Sequence, residues 1–112
     1  MLMYEIEEYV TEAGASPFAD WLEGLKDTRA RMRLLARLDR ASLGNLGDWK
    51  AVSGAEGIAE LRDHYGPGYR VYFSFVGWNT ILLLSGSTKR HQNRAFRLAK
   101  GYLEDYRRRT EP

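Results

Sequence analysis

The chain has 112 residues, of which 44% are apolar and 29% are charged, a composition typical of one compact globular domain spanning residues 1–112. It contains no cysteine and only two histidines, which excludes disulfides and thiolate metal sites and argues against a zinc site, so we expect no metal and no cofactor. The net charge of +2 is unevenly distributed: residues 1–27 carry −6 and residues 28–112 carry +8. This split indicates a surface that faces a polyanion.

The opening segment "MLMYEIEEYV" lacks the basic start and the long apolar run of a signal peptide. No later stretch is long and apolar enough to span a bilayer. We therefore expect a cytoplasmic location and no membrane partner.

The first third of the chain predicts a strand followed by two helices. "MYEIEEYV" is rich in Tyr, Ile and Val and predicts the strand. Ser16 followed by Pro17 is a typical helix start, and apolar residues then recur at helical spacing. A second helix begins at Asp27 or Thr28 and ends at Gly44. Its expected buried face consists of Leu34, Leu35, Leu38 and Ala41.

The rest of the chain predicts a loop, three strands and a closing helix. "GNLGDWKAVSGAEG" contains four glycines and no periodicity, which predicts a long loop. Strands are expected at about 58–65, 69–76 and 80–86, and the continuous apolar run of the last one predicts a central strand covered on both faces. The predicted order is β-α-α-β-β-β-α. The fold class is therefore α+β, with helices packed on one face of a small, mainly antiparallel twisted sheet.

Two arginines lie within the most sheet-like part of the chain, in "IAELRDHYGPGYRVYF". An unpaired guanidinium is costly to bury. Alternation places Arg62 and Arg70 opposite the apolar residues that the helices should cover, so we expect both on an open sheet face. This grouping requires a three-residue loop with Gly68 in the left-handed conformation. The same face should also carry Glu60, His64 and Tyr72.

A basic segment follows the last predicted strand and should reach the edge of this face. It contains Lys89, Arg90 and His91. Arginine binds phosphate through a bidentate fork, histidine titrates near neutral pH, and tyrosine can stack on a base. The set predicts a phosphodiester site. Simpler interpretations stay open, since Arg62 can pair with Glu60 or Asp63 and each histidine can be an ordinary surface residue.

The stretches "ELR", "GPGYRVYF" and "GSTK", with "SPFADWLEGLKD" and "LGNLGDWKAV" before them, resemble the RelE/ParE-type toxins of type II toxin–antitoxin modules. The resemblance covers nearly the whole chain and is strongest to the HigB-like branch of addiction-module killer proteins. It implies a RelE-like fold and a cognate antitoxin as partner. It also implies an enzyme that cleaves mRNA on the ribosome without a metal.

By motif, the resemblance assigns the basic site positions of this family to Arg62, Arg70 and Lys89. Ribonucleases of this family often place a Tyr or His near the C-terminus, and the candidates here are His91, Tyr102 and Tyr106. Of these we take His91 as a catalytic candidate, because Lys89 or His91 can move the protons of the reaction. Tyr72, His64 and Arg90 are the candidates for RNA binding. Glu60 is an alternative base.

Two other functions stay open from the sequence. ParE-type members share the fold but poison DNA gyrase, which requires no catalytic base. A third possibility is a module without toxicity that serves only in an antitoxin complex on DNA. The three basic positions favour catalysis, and the lack of a clear acid–base pair favours the gyrase binder.

Overall fold

A computed structural model describes residues 3–111 of the chain. Its elements follow the predicted order, with one short strand added inside the predicted loop. They are β1 (Glu5–Glu8), α1 (Pro17–Glu23), α2 (Thr28–Ser42), β2 (Trp49–Ala51), β3 (Ala59–Asp63), β4 (Tyr69–Val76), β5 (Thr80–Thr88), a 3₁₀ turn (Lys89–His91) and α3 (Gln92–Thr110).

The five strands form one mixed sheet in the order β1-β5-β4-β3-β2. β1 runs parallel to β5, and the other three neighbouring pairs are antiparallel. β5 lies between β1 and β4, and the four residues 81–84 are each at most 1% exposed. The α+β class and the doubly covered position of this strand are thus confirmed.

The helices cover both faces of the sheet, so the expectation that they pack on one face is wrong. Val71 lies in a buried cluster with Phe18 of α1 and Leu34 of α2. Its neighbour Tyr72 lies in a second cluster with Ala95 of α3. Successive strand residues point to opposite faces, so α1 and α2 cover one face and α3 covers the other. The apolar run of β5 requires this arrangement, because it would otherwise expose one face to water.

The predicted starts of the first two helices are confirmed. Ser16 Oγ accepts a hydrogen bond from the Ala19 amide at 3.3 Å, and Asp27 Oδ1 accepts one from the Ala30 amide at 3.1 Å. Each bond satisfies an amide that has no partner within its helix. Gly24 is the C-cap of α1.

The hairpin of β3 and β4 has the predicted side-chain grouping but a longer connection. Arg62 lies directly opposite Arg70, and Glu60 lies opposite Tyr72, so all four side chains share a face. Five residues, 64–68, connect the strands in place of the expected three. Gly68 has a φ of 83° and thus supplies the expected left-handed conformation.

The predicted loop between α2 and β3 is held in place by Arg37. Its Nη1 donates to the Arg62 carbonyl at 2.6 Å, and its Nη2 donates to the carbonyls of Leu46 and Asp48 at 3.0 and 3.1 Å. β2 forms within this anchored segment and pairs with β3 at the sheet edge. Arg37 of α2 therefore links this helix to the loop and to β3.

α3 closes the chain and packs its small apolar face on the sheet. Ala95, Ala99 and Leu103 are buried, whereas Leu98 is exposed. Basic residues dominate the last turn of the helix. Among the helices within residues 3–111, none combines the length and the apolarity that crossing a membrane requires.

Candidate active site

A group of polar side chains is buried between the sheet and α3. It consists of Glu60, Arg70 and Tyr72, which are 7%, 6% and 2% exposed, and we call it the buried cluster. Glu60 and Tyr72 are opposite each other in the β3–β4 register, and Arg70 lies two residues before Tyr72 on β4. The hairpin alone therefore brings the three side chains together on the α3 face.

Arg70 is buried, contrary to the expectation of an open face. Its Nη1 donates to the Tyr69 carbonyl at 3.1 Å, and its Nε has no hydrogen-bond partner among the described residues. The nearest carboxylate oxygen, Glu60 Oε2, lies 4.0 Å from Nε, too far for a hydrogen bond. The expectation failed because α3 covers the face that the sequence pattern left without a helix.

Tyr72 is also buried, with its ring against Phe96 of α3 at a centroid distance of 5.9 Å. Its hydroxyl donates to the Gln92 carbonyl at 3.3 Å. Burial, and then the Glu60 carboxylate, raise the pKa of Tyr72 well above its usual range, so the phenol stays neutral at physiological pH. A ring packed in this way is not presented for stacking on a nucleotide, whereas Phe96 is half-buried at the surface.

An open cleft of about 360 Å³ reaches Glu60 and Tyr72 of the buried cluster, whereas Arg70 does not line it. Its wall includes residues of β2, of the loop after it and of the first turn of α3. Lys50 Nζ lies 4.0 Å from Glu60 Oε1, so the carboxylate has a cation on each side. Lys50 is not among the site residues predicted from the sequence. Its position depends on a short strand within a glycine-rich segment, and the sequence signal for such a strand is weak. The cleft is lined by Lys50, Ala51, Val52, Ser53, Glu60, Tyr72, Gln92, Asn93 and Phe96.

A second group, the exposed cluster, consists of Asp48, Arg62 and His64. Arg62 Nη2 and Nε donate to Asp48 Oδ1 at 2.7 and 3.2 Å, and His64 Nε2 lies 3.0 Å from Asp48 Oδ2. The bond from Arg62 is the main cause of a lowered pKa of the Asp48 carboxyl. The sequence indicated Glu60 or Asp63 as partners of Arg62, and the structure instead pairs it with Asp48.

The basic segment after β5 forms the 3₁₀ turn and is exposed. The Lys89 amide donates to the Gly68 carbonyl at 2.9 Å, which places Lys89 beside the hairpin loop. Arg90 follows it at the surface. His91 lines a different pocket, together with Trp21 and Leu98. The structure thus brings Tyr72 and Arg70 together and joins Arg62 to His64, whereas His91 lines a pocket that includes no residue of either cluster.

Glu60 is the carboxylate closest to the orphaned arginine, and it is the group that the sequence offered only as an alternative base. Its position follows from the register and from β2, whose Lys50 is its register partner. Within residues 3–111, no three or more His, Asp or Glu side chains are grouped so that they could hold a metal ion.

No model of a known protein family matches the chain. The chain is similar to a protein of Haemophilus influenzae that carries the description "Uncharacterized protein". The two are 41% identical over 83 residues, which cover 74% of this chain and 82% of its relative.

Proposed function

The chain belongs to the same family as this Haemophilus influenzae protein, and from the geometry of its cleft we propose that it is the toxin of a type II toxin–antitoxin module with a RelE-like fold. In this proposal it is an endoribonuclease that cuts mRNA on the ribosome and uses its own side chains without a cofactor. One observation carries the proposal: the buried Arg70 has an unsatisfied Nε beside the Glu60 carboxylate.

An arginine in this state is suited to bind an anion. A buried N–H without a partner costs about 1–3 kcal/mol, and a bound phosphate oxygen would remove that cost. Arginine matches phosphate through a planar fork of donors. In a site with little water, its charge also acts more strongly on the negative charge that builds up on a reacting phosphate.

Glu60 is the base of the proposed reaction. It takes the proton of the ribose 2′-OH while the 2′ oxygen attacks the adjacent phosphorus and the bond from phosphorus to the 5′ oxygen breaks. The products are a 2′,3′-cyclic phosphate and a 5′-OH end. Arg70 stabilises the charge on the phosphoryl oxygens, and the Lys50 ammonium lies 4.0 Å from the Glu60 carboxylate.

The surroundings of the cleft suit a single-stranded RNA. Phe96 offers an aromatic ring on its wall, and the amides of Gln92 and Asn93 offer donors and acceptors to base edges. Lys89 and Arg90 are exposed near the hairpin and can contact flanking phosphates. The net charge of +8 in residues 28–112 also suits an acidic antitoxin segment as the neutralising partner.

Controlled expression of the chain without a partner tests the proposal. We expect growth arrest, and primer extension on abundant messages should reveal new ends within minutes. The downstream fragment of each cut message should begin with a 5′-OH. The isosteric variant Glu60→Gln, expressed to the same level, should reduce cutting about a hundredfold or more, as expected for loss of a general base. Intact messages together with double-strand DNA breaks would overturn the proposal in favour of gyrase poisoning.

A further inference from the structure

His64 is held by a carboxylate although its side chain is 74% exposed. Its Nε2 lies 3.0 Å from Asp48 Oδ2, while the other oxygen of that carboxylate accepts from Arg62. Exposed imidazoles usually rotate freely. This one has a fixed partner on one ring nitrogen, and among the described residues no side-chain hydrogen bond engages the other nitrogen.

The backbone of Asp48 is itself fixed. Its carbonyl accepts from the Arg62 amide at 2.9 Å and from Arg37 Nη2 at 3.1 Å. Gly47, just before it, has a φ of 66°, and the Arg37 guanidinium lies 3.2 Å from where a Cβ of residue 47 would be. These contacts hold the Asp48 residue in a defined position. A chance ion pair on the surface would not require a fixed backbone.

A carboxylate on Nε2 sets the orientation of the imidazole ring. The Nδ1–H then points away from the carboxylate and is the proton that His64 can give. We infer that His64 is the general acid of RNA cleavage and that Asp48 is its positioning residue. This inference rests on the proposed function.

The register connects His64 to the phosphate site. Arg62 is the direct partner of Arg70 across the β3–β4 hairpin, and both arginines lie on the α3 face. Arg62 shares the Asp48 carboxylate with His64. The exposed cluster therefore flanks the buried cluster, whereas His91 lies in the pocket with Trp21 and Leu98.

The two groups complete one balanced reaction. Glu60 takes the proton from the 2′-OH, the 2′ oxygen forms a bond to phosphorus, and the bond to the 5′ oxygen breaks. His64 gives its Nδ1 proton to that leaving oxygen. The step involves no oxidation or reduction. At its end Glu60 carries a proton and His64 has lost one, and exchange with solvent restores both groups.

An RNA with sulfur in place of the 5′ leaving oxygen tests the inference, because a thiolate leaves without a general acid. The linkage is placed at a cleavage site first mapped by primer extension, and the RNA is presented both free and on translating ribosomes. The wild-type protein is assayed on the oxygen and the sulfur linkage, and so are the variants His64→Ala, Asp48→Asn, Arg70→Met and His91→Ala. Circular dichroism melting checks that every variant is folded.

On the oxygen linkage we expect His64→Ala to cut about a hundredfold or more slowly, within the range for loss of a general acid. Asp48→Asn should lose less. On the sulfur linkage both variants should cut within a few fold of wild type. Arg70→Met should be defective on both linkages, because it affects the phosphate and not the leaving group.

Equal losses on the two linkages, or no loss in His64→Ala, would overturn the inference and leave the proposed function standing. Rescue of His91→Ala by sulfur would equally overturn it, because His91 would then be the acid. A folded wild-type protein that cuts neither linkage, free or on ribosomes, would overturn the proposed function and the inference with it.

Discussion

Arg62 and Arg70 occupy partner positions in one hairpin, yet they have opposite surroundings. Arg62 makes a fork to an accessible carboxylate, with both of its contacts to Asp48 at 3.2 Å or less. Arg70 is buried beside the Glu60 carboxylate at 4.0 Å, and its Nε has no hydrogen-bond partner within residues 3–111. A folded chain keeps a buried donor without a hydrogen bond at a cost, and such groups are found preferentially at functional sites.

Alternation along a strand assigns a residue to one face of the sheet, but it does not determine which element covers that face. Ser85 Oγ donates to the Ala95 carbonyl at 2.9 Å, which fastens α3 on the face that carries Arg70. Arg62 and His64 of the same hairpin stay accessible, with side chains that are 28% and 74% exposed.

Removal of Arg70 should have the largest effect. Arg70→Met leaves Glu60 buried next to an apolar chain, which should cost about 3 kcal/mol of unfolding free energy. Replacement of an arginine on an open face would lower the unfolding free energy by only about 0.5 kcal/mol. Cleavage should fall about a hundredfold or more. Urea unfolding and cleavage of a reporter message measure the two effects.

The double variant Arg70→Met with Glu60→Leu separates folding from chemistry. It removes both charges of the pair, so its stability should return to within about 1 kcal/mol of wild type. Cleavage should stay lost. A stable double variant that still cuts RNA would show that the buried cluster is only structural.

Removal of Arg37 should have the next largest effect, because it anchors the exposed cluster through three carbonyls. We expect Arg37→Ala to cost about 2 kcal/mol, since hydrogen bonds from a charged donor are worth about 1.5–3 kcal/mol. Arg40→Ala is the matched control on the same helix, with an expected change below about 0.5 kcal/mol. Equal melting temperatures for the two variants would contradict the structural assignment of Arg37.

Removal of Arg62 should have the smallest effect on folding. Its ion pair is partly exposed, so Arg62→Ala should cost about 0.5–1 kcal/mol at neutral pH and less at high salt. The pKa of Asp48 is lowered in the folded chain, so this contribution is fully present above the unfolded pKa of about 4. It should vanish as the pH falls through the lowered pKa. If the unfolding free energies of wild type and Arg62→Ala still differ in more acidic solution, Arg62 has a partner other than Asp48.

Local signals in the sequence were sufficient for the order of the elements and for every element except the short strand β2. Ser16 and Asp27 are caps that act within four residues, and the apolar run of β5 requires cover on both faces. The grouping of Arg62 with Arg70 was also predictable, because the two-residue period fixes it.

The surroundings of these side chains were not predictable, because they depend on contacts between distant segments. Asp48 meets His64 only after Arg37 has anchored the loop, and Lys50 meets Glu60 only because a three-residue strand forms there. The burial of Arg70 depends on the position of α3, which a single sequence does not encode locally.

The most direct test of the account measures the Nε–Hε signal of Arg70 itself. Nitrogen-15 NMR resolves arginine Nε–H groups, and a buried one should exchange slowly with solvent. The ligand is an RNA of a mapped cleavage sequence with one 2′-deoxy sugar, which binds but cannot be cut. As this RNA is added, we predict that the Arg70 Nε–Hε signal shifts until binding is saturated, in parallel with the signals of Asn93 in the cleft. An Arg70 signal that stays unchanged while the RNA saturates its binding to the protein would contradict the proposal that Arg70 holds the phosphate.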